Sequence, residues 1–155
     1  MHDDFEAKVR SLSLPKALAL ASYGESVAAY RYRTLVEKTD AANRRNIFRD
    51  MADEEQGHHA AVLGLIRKHC PGSDFVLSPD DKALVIVGPR TLDLSDPASV
   101  DRAMELIWGS ERQTGRFYAI FRDITDDAEL KAWFKTMADE CFEHAALLRN
   151  LPLDA

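Results

Sequence analysis

One stretch of this chain occurs twice. Phe48-Arg49-Asp50-Met51-Ala52-Asp53-Glu54-Glu55-Gln56-Gly57-His58 returns as Phe134-Lys135-Thr136-Met137-Ala138-Asp139-Glu140-Cys141-Phe142-Glu143-His144. The offset, from Met51 to Met137, is 86 residues, and it holds without a gap upstream: Glu25 falls on Glu111, Tyr32 on Tyr118 and Thr39-Asp40 on Thr125-Asp126. A unit this long, present twice, is no solenoid repeat. It reads as a duplicated helical hairpin.

Hydrophobic periodicity supplies the helices. Leu18, Ala21, Glu25, Ala28, Tyr32 and Leu35 recur at alternating steps of three and four, as do Phe48, Met51, Glu55, His58, Val62 and Leu65. The same spacing links Met104, Ile107, Glu111, Thr114, Tyr118 and Phe121, and then Phe134, Met137, Cys141, His144 and Leu148. That is the spacing of a helix seam packed on other helices. It predicts helices near 15–38, 41–69, 97–124 and 127–149. Ser13-Leu14-Pro15 and Asp96-Pro97 read as helix starts, Thr39-Asp40 as the cap of the second helix, and Cys70-Pro71-Gly72 as its stop. Residues 3–12 predict a short helix capping the body. Both hairpin joins are short, so each pair should run antiparallel.

Residues 72–96 lack helical periodicity, and Ala83-Leu84-Val85-Ile86-Val87 reads as a strand-like strip covering the bundle or part of a dimer contact. A connection of this length suits a crossover along a bundle whose second and third helices are parallel, about 40 Å for helices of about 25 residues. The expected fold is all-α: one domain over 1–155, a four-helix bundle of two duplicated hairpins with a long crossover.

The four seams are not wholly apolar. Glu25, Glu55, His58, Glu111, Cys141 and His144 occupy seam positions near mid-helix and should converge at one level. Carboxylates crowded at a buried level repel one another and lose hydration worth several kcal/mol each. They must either hold protons among themselves or bind a divalent cation, and carboxylate with imidazole suits iron, manganese or zinc. A lone buried histidine is more often a hydrogen-bonded core residue than a ligand. Here His58 and His144 recur at matching repeat positions beside seam carboxylates. Tyr32 and Tyr118, seven residues after Glu25 and Glu111, read as hydrogen-bond donors to the site, electron relays or core tyrosines. Trp108 and Trp133 read as packing residues, and Arg31, Arg33, Arg44, Arg45 and Arg49 as solvated helix faces.

Composition narrows the partners. The formal net charge of −6 argues against nucleic acid and anionic membranes. No run of eighteen apolar residues is present, and the acidic Met1-His2-Asp3-Asp4 is unlike a signal peptide. Two cysteines, Cys70 and Cys141, are too few for a disulfide framework. The expectation is a cytoplasmic protein.

The Met-Ala-Asp-Glu-Glu-x-x-His run at 51–58 and the spacing from Glu25 to Glu55 resemble the rubrerythrin-like branch of the ferritin-like superfamily, over about residues 15 to 150. In ferritin-like carboxylate proteins two helices each give a Glu and two give Glu-x-x-His. Glu25 and Glu111 match the single places and Glu55-Gln56-Gly57-His58 the first motif. The resemblance implies a two-metal site, di-iron, with redox or peroxide chemistry, and the ligands Glu25, Glu55, His58, Glu111 and His144. The second motif reads Cys141-Phe142-Glu143-His144, so Cys141 stands where the family usually has a carboxylate shared by both metals. Either Glu140, four residues before His144, substitutes as a ligand, or Cys141 ligates as a thiolate, or it is a small buried hydrophobe. The leading expectation is an oxidoreductase acting on peroxide or dioxygen. There is no rubredoxin-like cysteine module in the sequence, so electrons would come from a separate donor protein. A homodimer is expected. Iron storage, or a structural bundle with a degenerate site, are the alternatives.

Overall fold

The computed structural model describes residues 3–151. Its order is α1 (Asp4–Arg10), α2 (Leu14–Lys38), α3 (Ala42–His69), α4 (Pro79–Lys82), α5 (Pro97–Ile124) and α6 (Ala128–Arg149). The four long helices fall within one or two residues of the expected spans. Local chemistry accounts for their starts. Ser13 accepts a hydrogen bond from the Lys16 amide with Pro15 in the first turn, Asp96 and Ser99 form a reciprocal capping box, and Asp127 accepts from the Leu130 amide. The second helix departs from expectation. Its cap is Ala41, with no side-chain hydrogen bond, because the helix begins one residue later than a cap at Asp40 would require.

α2 packs on α3 and α5 on α6, while α1 lies against α5 as a cap. His69, the last residue of α3, meets Glu129 in the first turn of α6 at 2.7 Å. The end of α3 therefore lies beside the α5–α6 turn, and α3 and α5 run parallel. Two apolar clusters fill the bundle. One joins the start of α2, the end of α3 and the α5–α6 turn through Leu18, Leu20, Val62, Phe117, Phe121 and Phe134. The other joins the opposite ends through Leu35, Phe48, Met51, Ile107 and Leu148. Each large side chain contributes about 1.5–3 kcal/mol on burial. The carboxylate level lies between the clusters, shielded along the bundle axis from both ends.

The crossover is not a strand. Among the described residues none is in a β-strand, and 83–85 form a turn after the one-turn helix α4, whose Ser78–Asp81 capping box the periodicity did not reveal. No neighbouring strand is present to complete a ladder. Helix side chains satisfy the carbonyls instead: Gln113 donates to Ala83 O, Thr114 to Val85 O at 2.9 Å, and Arg31 to Val87 O and Pro89 O at 2.8 and 2.6 Å. Val85 seats against Gly24, where a Cβ would come within 3.2 Å of the Val85 Cβ, so glycine lets the strap lie close to α2.

Arg31 thus corrects the expectation of a solvated face. It is 3% exposed and also donates to Ser110 Oγ at 3.0 Å. Burial lowers its pKa from the ordinary arginine value. Arg31→Met should cost about 2–4 kcal/mol in thermal or denaturant unfolding, since it strands the Pro89 carbonyl and leaves Val87 O with only the longer bond from Ser110 Oγ. A change within about 0.5 kcal/mol would mean that the strap holds without it.

Candidate metal centre

The seam periodicity turns five acidic or imidazole side chains inward at the same level, two from α3 and one each from α2, α5 and α6. Two sets of three result, each with one ligand atom per residue and all atoms within 4.8 Å of one another: Glu25, Glu55 and His58, and Glu55, Glu111 and His144. Glu55 belongs to both. All three glutamates are 5% exposed or less.

Each histidine presents Nδ1 to the carboxylates. His58 Nδ1 lies 3.5 Å from Glu25 and 3.7 Å from Glu55, and His144 Nδ1 lies 3.2 Å from Glu55 and 3.6 Å from Glu111. Each Nε2 meets a carboxylate on the other hairpin: His144 meets Glu54 at 2.5 Å, and His58 meets Glu140. A carboxylate behind Nε2 holds that proton and aims Nδ1 inward, the usual arrangement for a metal-binding imidazole. The tyrosines cross over in the same way. Tyr118 donates to Glu25 Oε1 at 2.6 Å and Tyr32 to Glu111 Oε1 at 2.7 Å. Apart from the two contacts to Glu55, whose repeat mate is Cys141, each of these contacts has a mate shifted by 86 residues, as a pseudo-twofold axis through the cluster requires.

Charge is balanced by protons. Burial, reinforced by Glu55, pushes the Glu25 carboxyl up to about 8. Burial opposes charge on His58 and His144, yet the carboxylates facing them win, raising His58 to about 10 and His144 to about 12. Burial and Glu111 work against the Glu55 carboxylate, but contacts with Glu25, His144 and His58 hold it below the ordinary carboxylate value. Burial, then the nearby carboxylates, drives the Cys141 thiol well up.

Glu25 Oε2, His58 Nδ1 and His144 Nδ1, all buried and facing the two ligand sets, make no hydrogen bond of good geometry, and neither does Glu140 Oε2 behind His58. Unpaired buried donors and acceptors are costly. Convergence of three, from carboxylate and imidazole, fits a hard to borderline divalent metal.

A family comparison decides the class. The rubrerythrin family profile matches residues 16–152. The chain belongs to the rubrerythrin family. Rubrerythrins are ferritin-like di-iron proteins, and both sets of three are available here for that purpose. A hypothetical protein from Pyrococcus furiosus shares the fold, with a TM-score of 0.79 at 22% identity, covering 93% of this chain and 90% of that one. No curated protein matches.

Of the residues the sequence singled out, Glu25, Glu55, His58, Glu111 and His144 are brought together. Glu140 lies elsewhere than beside His144: the pseudo-twofold axis carries its carboxylate to Nε2 of His58, outside both sets of three. Glu54, the repeat mate of Glu140, does the same for His144. The signal for both was the repeat itself, which pairs Glu54 with Glu140. Cys141 is buried and, with Gly24, Glu25, Glu55, Val85, Glu111 and others, lines a cavity of about 20 Å³, room for about one water. On the α3–α6 side a hollow of about 280 Å³ opens over His144, lined by Asp50, Glu54, Glu140 and Glu143. His59 is half-buried beside a separate surface hollow with Tyr23 and Phe75.

Proposed function

We propose that the chain is a two-iron oxidoreductase that reduces peroxide, with electrons supplied by a separate donor protein. The observation that carries the reading is the pair of ligand sets sharing Glu55, with the Nδ1 atoms of both histidines unpaired and turned toward them. Glu25, Glu55 and His58 would hold one iron and Glu55, Glu111 and His144 the other. When bound, such a pair supplies two electrons at one place, the number needed to convert peroxide and two protons to two waters.

The chain's own residues supply position and protons. Tyr118 and Tyr32 each occupy Oε1 of a glutamate, which fixes the carboxylate plane and leaves Glu25 Oε2 facing the site. Glu54 and Glu140 orient the imidazoles. The strap at Val85 covers the α2–α5 side, and the acidic hollow on the α3–α6 side attracts cations by its charge.

Cys141 removes one shared carboxylate, so the iron at Glu111 and His144 should be the weaker. Cys141→Glu would place a carboxylate beside Glu111 at an overpacking cost of about 1–3 kcal/mol. In a ferrous titration the variant should fill the second position at a lower ferrous concentration than the wild type, and peroxide turnover with an artificial electron donor at sub-saturating iron should rise. If iron-loaded protein removes peroxide no faster than the same iron free in solution, the proposed activity is wrong.

A further inference from the structure

We propose that Tyr118 and Trp133 form a one-electron relay between the carboxylate level and the surface of the bundle; this rests on the peroxide-reducing reading above. Tyr118 is fully buried, its hydroxyl donates to Glu25 Oε1 at 2.6 Å, and its ring stands edge-on to Trp133 with centroids 5.5 Å apart. Trp133 is only partly buried on α6, so the pair spans from a proposed ligand to solvent. Phe117 and Phe134 pack on Tyr118, with centroids 5.6 and 6.2 Å away, and keep water from its ring.

The repeat supplies an internal comparison. Tyr32 makes the equivalent hydrogen bond to Glu111, but its surroundings differ. Shifted by 86 residues, Phe117 becomes Arg31, Phe121 becomes Leu35 and Trp133 becomes Ile47. Among the described residues the Tyr32 ring meets only that of His144, 6.4 Å away, and no tryptophan ring stands against it, so packing alone does not demand one at Tyr118. The other tryptophan is differently placed. Arg149 and Arg112 lie over the Trp108 ring at 3.6 and 5.2 Å, and their positive charge makes an electron harder to remove from that indole. Among the described residues no cation lies over Trp133.

The transfer balances in three steps. With an iron pair bound and oxidised by peroxide beyond its ferric state, Tyr118 would give up one electron to it and pass its hydroxyl proton to Glu25 Oε1, leaving a neutral phenoxyl radical. Trp133 returns one electron to the phenoxyl while Glu25 returns the proton, leaving an indole radical cation. A one-electron donor protein restores Trp133. Two passages provide the electrons for one peroxide. Without a donor, the Trp133 radical cation is consumed by water and dissolved dioxygen and the indole is permanently oxygenated.

The test uses iron-loaded protein given excess peroxide with no electron donor, followed by peptide mass spectrometry and by electron paramagnetic resonance of frozen samples. Oxygenation should concentrate on Trp133 and spare Trp108. At matched iron content, and per peroxide consumed, Tyr118→Phe should abolish the Trp133 product and the trapped aromatic radical, while Tyr32→Phe, which removes the hydroxyl from Glu111, should keep both. Equal modification of the two tryptophans, or a Trp133 product unchanged in Tyr118→Phe, would overturn the relay while peroxide consumption left the parent reading standing. Protein that holds no iron, or consumes no peroxide, would overturn both.

Discussion

Glu55→Gln should empty both metal positions at once. Glu55 is the one residue common to both ligand sets, so its charge serves each metal. Glutamine keeps the shape and one oxygen but removes the charge that offsets two dications. Changing a partner merely behind a ligand costs about 10–100-fold in metal affinity, and loss of the shared ligand should exceed that. Glu25→Gln and Glu111→Gln, each belonging to one set, should each weaken one position and spare the other. All three variants remain helical, because the apolar clusters on either side of the cluster level are untouched. Metal titration followed by elemental analysis separates the outcomes. Full retention of one metal in Glu55→Gln would show that the two positions do not share it.

Metal loading at neutral pH should release about three protons. Glu25 is held up to about 8, His58 to about 10 and His144 to about 12, so each carries a proton that a metal must displace. Apparent affinity therefore rises with pH by about 1.4 kcal/mol per pH unit for each proton released. Above about pH 8, where Glu25 has already lost its proton, the dependence should fall from three protons to two. Calorimetric titration in buffers of different ionisation enthalpy counts the protons directly, and release of fewer than one would contradict this charge state. The metal-free protein carries the same signature. His58 and His144 contribute stability that is fully present below their ordinary value of 6.5 and is lost as pH rises through about 10 and about 12. Glu25, protonated when folded between 4.5 and about 8, adds a loss of the same sign. With chelator present, melting temperature should therefore be lower at about pH 9 than at about pH 6.

Sequence and structure agree where a side chain's role depends on its own helix. Glu25, Glu55, His58, Glu111 and His144 were legible because seam spacing alone puts each of them on the inner face. Contacts made across the pseudo-twofold axis were not legible one residue at a time. Glu140 is four residues from His144 and shares its helix face, which suggested a ligand beside His144, yet its carboxylate reaches His58 on the other hairpin. Tyr32 and Tyr118 likewise bond the glutamate of the opposite hairpin, about 10 Å of helix removing each from its own. Arg31 was misread for a third reason. It sits off the seam, on a face that would be solvated in an isolated hairpin, and the strap that buries it has no periodicity to announce its path.

The most direct test of the account is the iron content and magnetic state of protein loaded anaerobically with ferrous iron and then oxidised. Two irons per chain should be bound at saturation and should couple magnetically after oxidation, because Glu55 belongs to both ligand sets, and the coupling should vanish in Glu55→Gln. Iron bound singly and uncoupled, or held only at the surface and removed by mild chelation, would contradict a two-metal centre built on Glu55.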